Sequence, residues 1–130
     1  MPKHVPVHHY DSNPYELVPK GIIHPDVEHH DHPEDAEHYL LPVVFALEEG
    51  AVAHIKYPGP GVYFFSQGEI EYEDTAKPGH HTLLKPGSVL HIEDGSVIRW
   101  RCKSPSGVKG FAAFYVPVSV KSLDEFVVPE

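Results

Sequence analysis

A histidine and a lysine two residues apart, His54 and Lys56, form the residue pair with the clearest chemical potential in this sequence. They lie in AVAHIKYPGPGVYFFSQGEIEYED, residues 51–74, which alternates like a strand, breaks at a proline-glycine turn and alternates again. Side chains two apart on a strand share a face, so this pair points the same way. In an apolar barrel such a pair can remove a proton next to a carbonyl group or hold a carboxylate.

The elements that must position this pair are strands. From residue 39 onward, short runs rich in β-branched and aromatic residues, such as GVYFFSQ, SVIRWRCKS and GFAAFYVPVSV, are separated by turn residues at regular spacing. That rhythm indicates an all-β fold, an antiparallel sandwich or barrel. SLDEFVV near the end of the sequence favours a short helical turn, with Ser122 as a possible N-cap.

The first 38 residues differ from the rest, since eight of the twelve histidines occur there with little apolar periodicity. We interpret residues 1–38 as an arm that crosses the outside of the domain or of a partner subunit, and residues 39–130 as the barrel. ELVPKGIIHP within the arm can donate a short edge strand. His29, His30, Asp31 and His32 are able to capture a metal ion adventitiously, but their spacing matches no metal motif.

Composition excludes several classes of protein. A chain of 130 residues is one domain, and its net charge of -9 with no basic stripe argues against nucleic-acid binding. No apolar run is long enough to span a bilayer and the start lacks the apolar core of a signal peptide, so we expect no membrane partner and a cytoplasmic location. Cys102 is the only cysteine and cannot form an internal disulfide.

QGEIEYED, LKPGSVLHIEDGSVIRW and SPSG followed by FAAFYV resemble the cupin superfamily, and within it the EutQ-like ethanolamine-utilisation cupins. The resemblance covers roughly residues 40–118 and implies a jelly-roll β-barrel. Cupin motifs read H-x-H, three or four residues, E, six residues, G, and later P-x-G, two residues, H, three residues, N. We take Gly68 as the last glycine of the first motif and Gly95 as the glycine of the second, with four residues between H-x-H and the glutamate position. The metal-ligand positions then fall on His54, Lys56, Gly61 and Ile98.

What the resemblance implies for metal binding is negative. A protonated lysine repels a cation, while glycine and isoleucine offer no side-chain donor atom. We therefore expect no metal and no cofactor. The barrel interior is expected to be an aromatic and apolar pocket for a small organic molecule. Its predicted lining residues, which also include the position of the motif asparagine, are Tyr63, Phe65, His91, Ile98, Trp100 and Cys102.

Three functions fit these residues. The first is a metal-independent cupin that performs proton-transfer chemistry, such as isomerisation, cyclisation, dehydration or decarboxylation of a carbonyl metabolite, with His54 and Lys56 as the catalytic pair. The second is a non-enzymatic small-molecule-binding or interaction cupin, which an exposed Lys56 would favour. The third is a metal-dependent dioxygenase with unconventional ligands such as His54, His91 or an arm histidine. Because cupins tend to pair through their sheets, we expect a homodimer.

Overall fold

Ten strands in two antiparallel sheets make up the computed structural model, which describes residues 32–121 and 123–128 together with the backbone of residues 16–17 and 22–23. The strands are β1 (Glu16–Leu17), β2 (Ile22–Ile23), β3 (His38–Leu47), β4 (Val52–Lys56), β5 (Gly61–Gln67), β6 (Ile70–Asp74), β7 (His81–Leu84), β8 (Val89–Ile92), β9 (Val97–Cys102) and β10 (Val108–Pro117). Leu123–Phe126 forms a 3₁₀ turn. The large sheet has the strand order β1-β2-β3-β10-β5-β8, and the small sheet has the order β4-β9-β6-β7.

The core lies between the two sheets and follows from period-two alternation in each strand. In β3, Leu41, Val43 and Phe45 are buried while the residues between them are more exposed. β10 pairs with β3 over the full length of both strands and alternates in the same way. Each sheet therefore turns one apolar face inward, where burial of aromatic and branched side chains stabilises the sandwich.

Two glycine turns bring the sheets together at one end. Gly68 between β5 and β6 has a φ of 84°, and a Cβ there would lie 2.2 Å from the carbonyl oxygen of Gly107. Gly107 between β9 and β10 has a φ of 83°, and a Cβ there would lie 2.4 Å from the carbonyl oxygen of Leu47. Both turns need glycine for the left-handed backbone and for the close backbone contact.

The end of the described chain closes one edge of the small sheet. Val127 forms an isolated bridge with Ile55 of β4, and the Val128 N–H donates to the carbonyl oxygen of His54 at 2.9 Å. Phe126 is fully buried and packs edge-on against the rings of Tyr57 and Phe114. This segment covers both the backbone edge of β4 and the end of the core beneath it.

The fold class predicted from the sequence is confirmed, because two antiparallel sheets of short strands form a jelly-roll sandwich. The edge strand predicted in ELVPKGIIHP is also confirmed, since Ile22–Ile23 pairs with the end of β3. The short helical turn in SLDEFVV is present at Leu123–Phe126. The rest of the arm up to residue 31 lies outside the described residues. Within the described residues, no helix is long and apolar enough to cross a bilayer.

Candidate functional site

β4 places the predicted catalytic pair on the outside of the barrel. Ala53 and Ile55 are buried in the core, whereas Val52, His54 and Lys56 occupy the outer face of the small sheet, with Lys56 exposed. The apolar residues of the alternation take the core, and because the side-chain period is two, the polar residues between them must face outward. The inward orientation expected for His54 and Lys56 is therefore wrong.

β5 and β9 orient their side chains as the sequence predicts. Ile98, Trp100 and Cys102 share the inward face of the small sheet, and Tyr63 and Phe65 face them from the large sheet. All five are at most 5% exposed. Their role in ligand binding stays a prediction, but they do meet in the interior.

His91 does not line the interior. It is exposed on β8 and pairs with Val62 of β5 on the outer face of the large sheet. His54 lies on the outer face of the other sheet, so the whole sandwich separates these two imidazoles. A metal site that combines His54 with His91 is excluded by this geometry, whereas the form of the third function that uses an arm histidine stays a prediction, because the arm histidines before His32 lie outside the described residues.

The inward positions of the first cupin motif are one residue away from those expected. When three residues rather than four separate H-x-H from the motif glutamate position at Gly61, the H-x-H positions fall on Ile55 and Tyr57. Both of these residues are buried and face the interior. The inward face thus identifies Ile55, Tyr57, Gly61 and Ile98 as the four positions where a cupin metal would be held.

These four residues do not fit a metal ion. The two isoleucines have no donor atom, and a Cβ at Gly61 would lie 2.3 Å from Cδ1 of Phe114, so the ring of Phe114 fills the space of the motif glutamate. The Tyr57 hydroxyl already makes two hydrogen bonds. In the part of the chain that the structure describes, no group of three histidine, cysteine or acidic side chains could hold an ion elsewhere.

A hydrogen-bonded cluster of Tyr57, Tyr63 and Trp100 occupies the centre of the interior. The indole N–H of Trp100 donates to the Tyr57 hydroxyl at 2.8 Å, and the hydroxyls of Tyr57 and Tyr63 are 2.7 Å apart. Tyr57 follows β4 directly, Tyr63 comes from β5 and Trp100 from β9, so the cluster joins the two sheets. We call these three residues the interior cluster.

The interior cluster has more donor hydrogens than hydrogen bonds. Its three groups carry three hydrogens, one indole N–H and two phenol O–H, but they make two bonds among themselves and none to other described residues. The Trp100 N–H donates to the Tyr57 oxygen, and either phenol can donate to the other. In both orders one phenol hydrogen of the pair has no acceptor among the described residues.

Burial keeps both phenols protonated. It is the largest cause that raises the pKa of Tyr63 above its ordinary value, and the hydrogen bond with Tyr57 opposes it only in part. The pKa of Tyr57 is raised as well, mainly by burial and then by the neighbouring Tyr63. The two hydroxyls are therefore available as neutral hydrogen-bond donors and unsuited to act as bases near neutral pH.

Aromatic rings pack around the interior cluster, and the two sides of the interior differ in how completely they are buried. Toward β4, Phe126 and Phe114 seal the core against Tyr57. Toward β7 and β8, Tyr72 and Leu90 also face the core but are only partly buried. Tyr72 and Leu90 are thus the more exposed inward residues on this side of the core.

The outer face of the small sheet is charged and carries one well-held carboxylate. Glu73 on β6 accepts a hydrogen bond from the Gly79 N–H at 2.8 Å and from the Arg99 guanidinium at 2.9 Å. The Gly79 bond is the largest cause that holds the pKa of Glu73 below its ordinary value; burial opposes it and Arg99 adds to it. Nearby, Glu71 lies 3.2 Å from the His81 ring and 3.7 Å from the Lys103 ammonium.

His54 also lies on this charged face. Both of its ring nitrogens are shielded from solvent, and neither makes a hydrogen bond to a described residue. In register it lies opposite Arg99 on β9. Of the possible adventitious metal ligands in the arm, His29, His30 and Asp31 lie outside the described residues.

Cys102 behaves as a small buried side chain. Its thiol lies 3.9 Å from the Leu47 carbonyl oxygen and 3.8 Å from that of Ser104. Burial, the largest cause, raises the pKa of the thiol, so the reactive thiolate is disfavoured.

Tyr57 is the interior residue that the sequence reasoning missed. Tyr57 directly precedes the proline-glycine turn, where the strand pattern ends. Strict alternation continued past Lys56 would have found it, because Ala53, Ile55 and Tyr57 keep one period-two series.

Comparisons with known proteins identify the fold. No family model matches the sequence, and no curated protein matches it. Among solved structures, KdgF from Halomonas sp. is similar with a TM-score of 0.59 and 19% identity over 84% of this chain and 94% of that one. A cupin superfamily protein from Desulfitobacterium hafniense has a TM-score of 0.55 and 14% identity over 73% and 75% of the two chains.

The Clostridium difficile EutQ protein is also similar, with a TM-score of 0.56 and 12% identity over 74% of this chain and 62% of that one. The predicted resemblance to cupins is thus confirmed at the level of structure, and the chain has the cupin fold. A closer likeness to EutQ than to other cupins stays a prediction, since EutQ is one of several cupins with comparable scores.

Proposed function

We propose that this chain is a metal-independent cupin that binds a small, neutral organic molecule through a carbonyl-type oxygen in the barrel interior. Tyr57 of the interior cluster stands at one of the four positions that hold the metal in other cupins. The observation that carries the proposal is the phenol hydrogen of the Tyr57–Tyr63 pair that has no acceptor among the described residues, because a buried donor without an acceptor costs about 1–3 kcal/mol unless a partner arrives. A ligand oxygen would supply that partner.

The surroundings define the ligand class. The interior is lined by aromatic rings, and none of the inward side chains described around the cluster is cationic, so a carboxylate would lose its hydration without gaining a counter-ion. A neutral ketone, lactone or amide loses less hydration free energy on burial, and it gains both contacts with the aromatic rings and a hydrogen bond. We expect such a molecule to enter past Leu90, which is only partly buried and pairs with Tyr63 across β8 and β5.

Binding rather than turnover is the function that these residues support. The exposed position of Lys56 is the feature that favours a non-enzymatic cupin, and His54 faces away from the interior. The two phenols donate hydrogen bonds but do not take protons near neutral pH. Proton-transfer catalysis would need a base on the inward face, and the predicted catalytic pair does not provide one there.

The test uses Trp100, which is the only tryptophan in the chain and a member of the interior cluster. Small neutral ketones and lactones are titrated against the full chain, each paired with a hydrocarbon of the same shape, and the indole fluorescence is followed. We expect the oxygenated member of a pair to bind at least about 10-fold more tightly, which corresponds to about 1.4 kcal/mol for one buried hydrogen bond.

Tyr63→Phe should remove most of that preference, and Tyr72→Phe, which changes a partly buried phenol at the entrance, should keep it. Oxygenated and hydrocarbon probes that bind equally well to the unmodified chain would refute the proposal. So would a preference that Tyr63→Phe leaves intact.

The two hydrogen bonds of the Tyr57 hydroxyl give a separate prediction. Tyr57→Phe leaves both the Trp100 N–H and the Tyr63 O–H without partners, whereas Tyr63→Phe leaves only the Tyr57 O–H. We expect Tyr57→Phe to lower the free energy of unfolding by about 1–3 kcal/mol more than Tyr63→Phe. Urea unfolding at one protein concentration measures the difference, and equal losses would contradict the central place of the Tyr57 hydroxyl in the interior cluster.

A further inference from the structure

Two rows of inward side chains lead from the interior cluster to the edge strands β7 and β8. On the small sheet, Trp100 of β9 pairs with Tyr72 of β6, and Tyr72 pairs with Thr82 of β7. On the large sheet, Tyr63 of β5 pairs with Leu90 of β8. Residues that pair directly across antiparallel strands share one face of the sheet, so all five side chains are on the inward side.

Burial decreases along both rows from the interior cluster to the edge strands. Trp100 and Tyr63 are at most 5% exposed, Tyr72 and Leu90 are partly buried, and Thr82 is exposed. In the other direction, toward β4 and β3, the rows continue with buried residues only: Ala53, Ala112 and Val43. The part of a bound molecule that extends beyond the interior cluster would therefore lie toward β6, β7 and β8.

Two hydroxyl groups stand on the inward side in this direction. The Tyr72 ring lies 5.7 Å from the Trp100 ring between centroids, and Thr82 follows on the next strand. Neither the Tyr72 nor the Thr82 hydroxyl makes a hydrogen bond to a described residue. A hydroxyl can both donate and accept, so each can exchange a water molecule for a polar group of a ligand.

The charges on this side favour a neutral polar group. None of the inward residues of β6, β7 and β8 is a lysine, arginine or histidine. The charged side chain among them is Asp74, at the end of β6. A carboxylate here would lose hydration and meet a like charge, whereas a hydroxyl or amide would exchange one hydrogen bond for another.

We propose that Tyr72 and Thr82 bind a second, neutral polar group of the ligand and determine the specificity of the barrel interior. The interior then selects elongated molecules with a carbonyl-type oxygen at one end and a hydroxyl or amide at the other. This proposal rests on the function proposed above, in which the interior cluster binds the first oxygen. Strands about 4.8 Å apart place Tyr72 one spacing and Thr82 two spacings from Trp100, so a spacer of about five carbons fits between the two groups.

Three linear ketones of one chain length test the proposal. About five carbons separate the carbonyl group from an end group that is a methyl, a hydroxyl or a carboxylate. Binding to the full chain is followed by the fluorescence of Trp100. We expect the hydroxyl compound to bind about 3- to 10-fold more tightly than the methyl compound, which is the range for one added hydrogen bond. The carboxylate compound should bind more weakly than the hydroxyl compound.

Substitutions connect this preference to the two side chains. Tyr72→Phe combined with Thr82→Val should bring the hydroxyl and methyl compounds to within about 2-fold of each other. Thr82→Ser retains a hydroxyl and should keep the preference. Tyr115→Phe is the matched control for Tyr72, because it removes an exposed phenol from the outer face of the large sheet. If circular dichroism shows that Thr82→Val folds poorly, Thr82→Ala replaces it.

Both compounds are measured on the same variant, so an altered fluorescence of Trp100 cancels in the ratio of their affinities. A methyl compound that binds no more tightly than a hydrocarbon of the same shape would refute the proposed function, and this proposal with it. A methyl compound that keeps its advantage over the hydrocarbon, together with a hydroxyl compound that gains nothing further, overturns only the role of Tyr72 and Thr82. That role is also overturned by a carboxylate compound that binds as tightly as the hydroxyl compound, or by a preference that survives the double substitution.

Discussion

The two sheets turn similar faces toward each other and opposite kinds of face toward the outside. Outward positions on the large sheet carry Phe64 and Phe111, which leave apolar surface uncovered. Outward positions on the small sheet carry Glu73, Arg99 and His81, and the Glu73 carboxylate contacts both of the other two. Both sheets have the same pleat and period, so only the choice of residue at every second position separates an apolar outer surface from one that carries ion pairs.

This contrast shows that inward alternation is enough to hold the sandwich together. The core buries the same kinds of side chain from both sheets. The outward side chains are not needed for this core, so their composition can differ between the two sheets. The following predictions test how independent the inward and outward series are.

The largest expected effect comes from two neighbouring alanines in β10. Ala112 is fully buried, whereas Ala113 is on the outward side and partly exposed. Ala112→Leu forces extra methylene groups into a packed core and should lower the free energy of unfolding by about 2–3 kcal/mol. Ala113→Leu should change it by no more than about 0.5 kcal/mol.

Urea unfolding of both variants, followed by Trp100 fluorescence at one protein concentration, gives the comparison. If Ala113→Leu proved as costly as Ala112→Leu, the outward series would not be independent of the core.

A smaller effect is expected from Glu73 on the small sheet, and it should depend on pH. Its carboxyl has a folded pKa below the ordinary value of 4.5, so its contribution to stability is present above about pH 4.5 and is lost as the pH falls through the folded pKa. Glu73→Gln should therefore lower the urea midpoint at pH 7, and the gap to the unmodified chain should narrow in acid.

Glu71→Gln provides the matched control, because Glu71 is more exposed than Glu73 and no described backbone N–H donates to its carboxylate. Its midpoint shift should be smaller. A gap for Glu73→Gln that stayed constant from pH 7 into acid would show that the carboxylate charge does not matter.

The smallest effect is expected at the outer margin of the charged face. Lys103 lies 3.7 Å from Glu71, and both side chains are partly exposed. Lys103→Met should change the free energy of unfolding by about 0.5 kcal/mol or less, since exposed ion pairs are weakened by water and salt. Unfolding in low and high salt measures this, and a loss above 1 kcal/mol would mean that the charged face is more important to stability than Coulomb screening allows.

The sequence was sufficient to predict the fold because alternation and turn residues act locally. GVYFFSQ and SVIRWRCKS each specify a strand, and the inward series on β9 was predicted correctly at Ile98, Trp100 and Cys102. The glycines at the strand ends then limited where the chain could reverse, as at Gly68 and Gly107.

The candidate site was harder to predict because its identity depends on one residue of register. Two permitted spacings of the first motif place it either on His54 and Lys56 or on Ile55 and Tyr57, and only the structure shows which pair faces inward. The interior cluster adds residues from three distant parts of the sequence, and hydrogen-bond distances between them cannot be read from spacing. The outward apolar side chains of the large sheet could have been predicted, since an inward Tyr63 implies an outward Phe64.

The chain segment around Phe126 protects the molecule from a common failure of β proteins. Without the Val127 and Val128 contacts, β4 would present a row of free N–H and C=O groups beside an opening where the Phe126 ring now lies. An edge of that kind is a template on which further strands can add, from one molecule to the next. By pairing with β4, Val127 and Val128 thus block the addition of further strands at this edge, which is the first step of fibre-like aggregation.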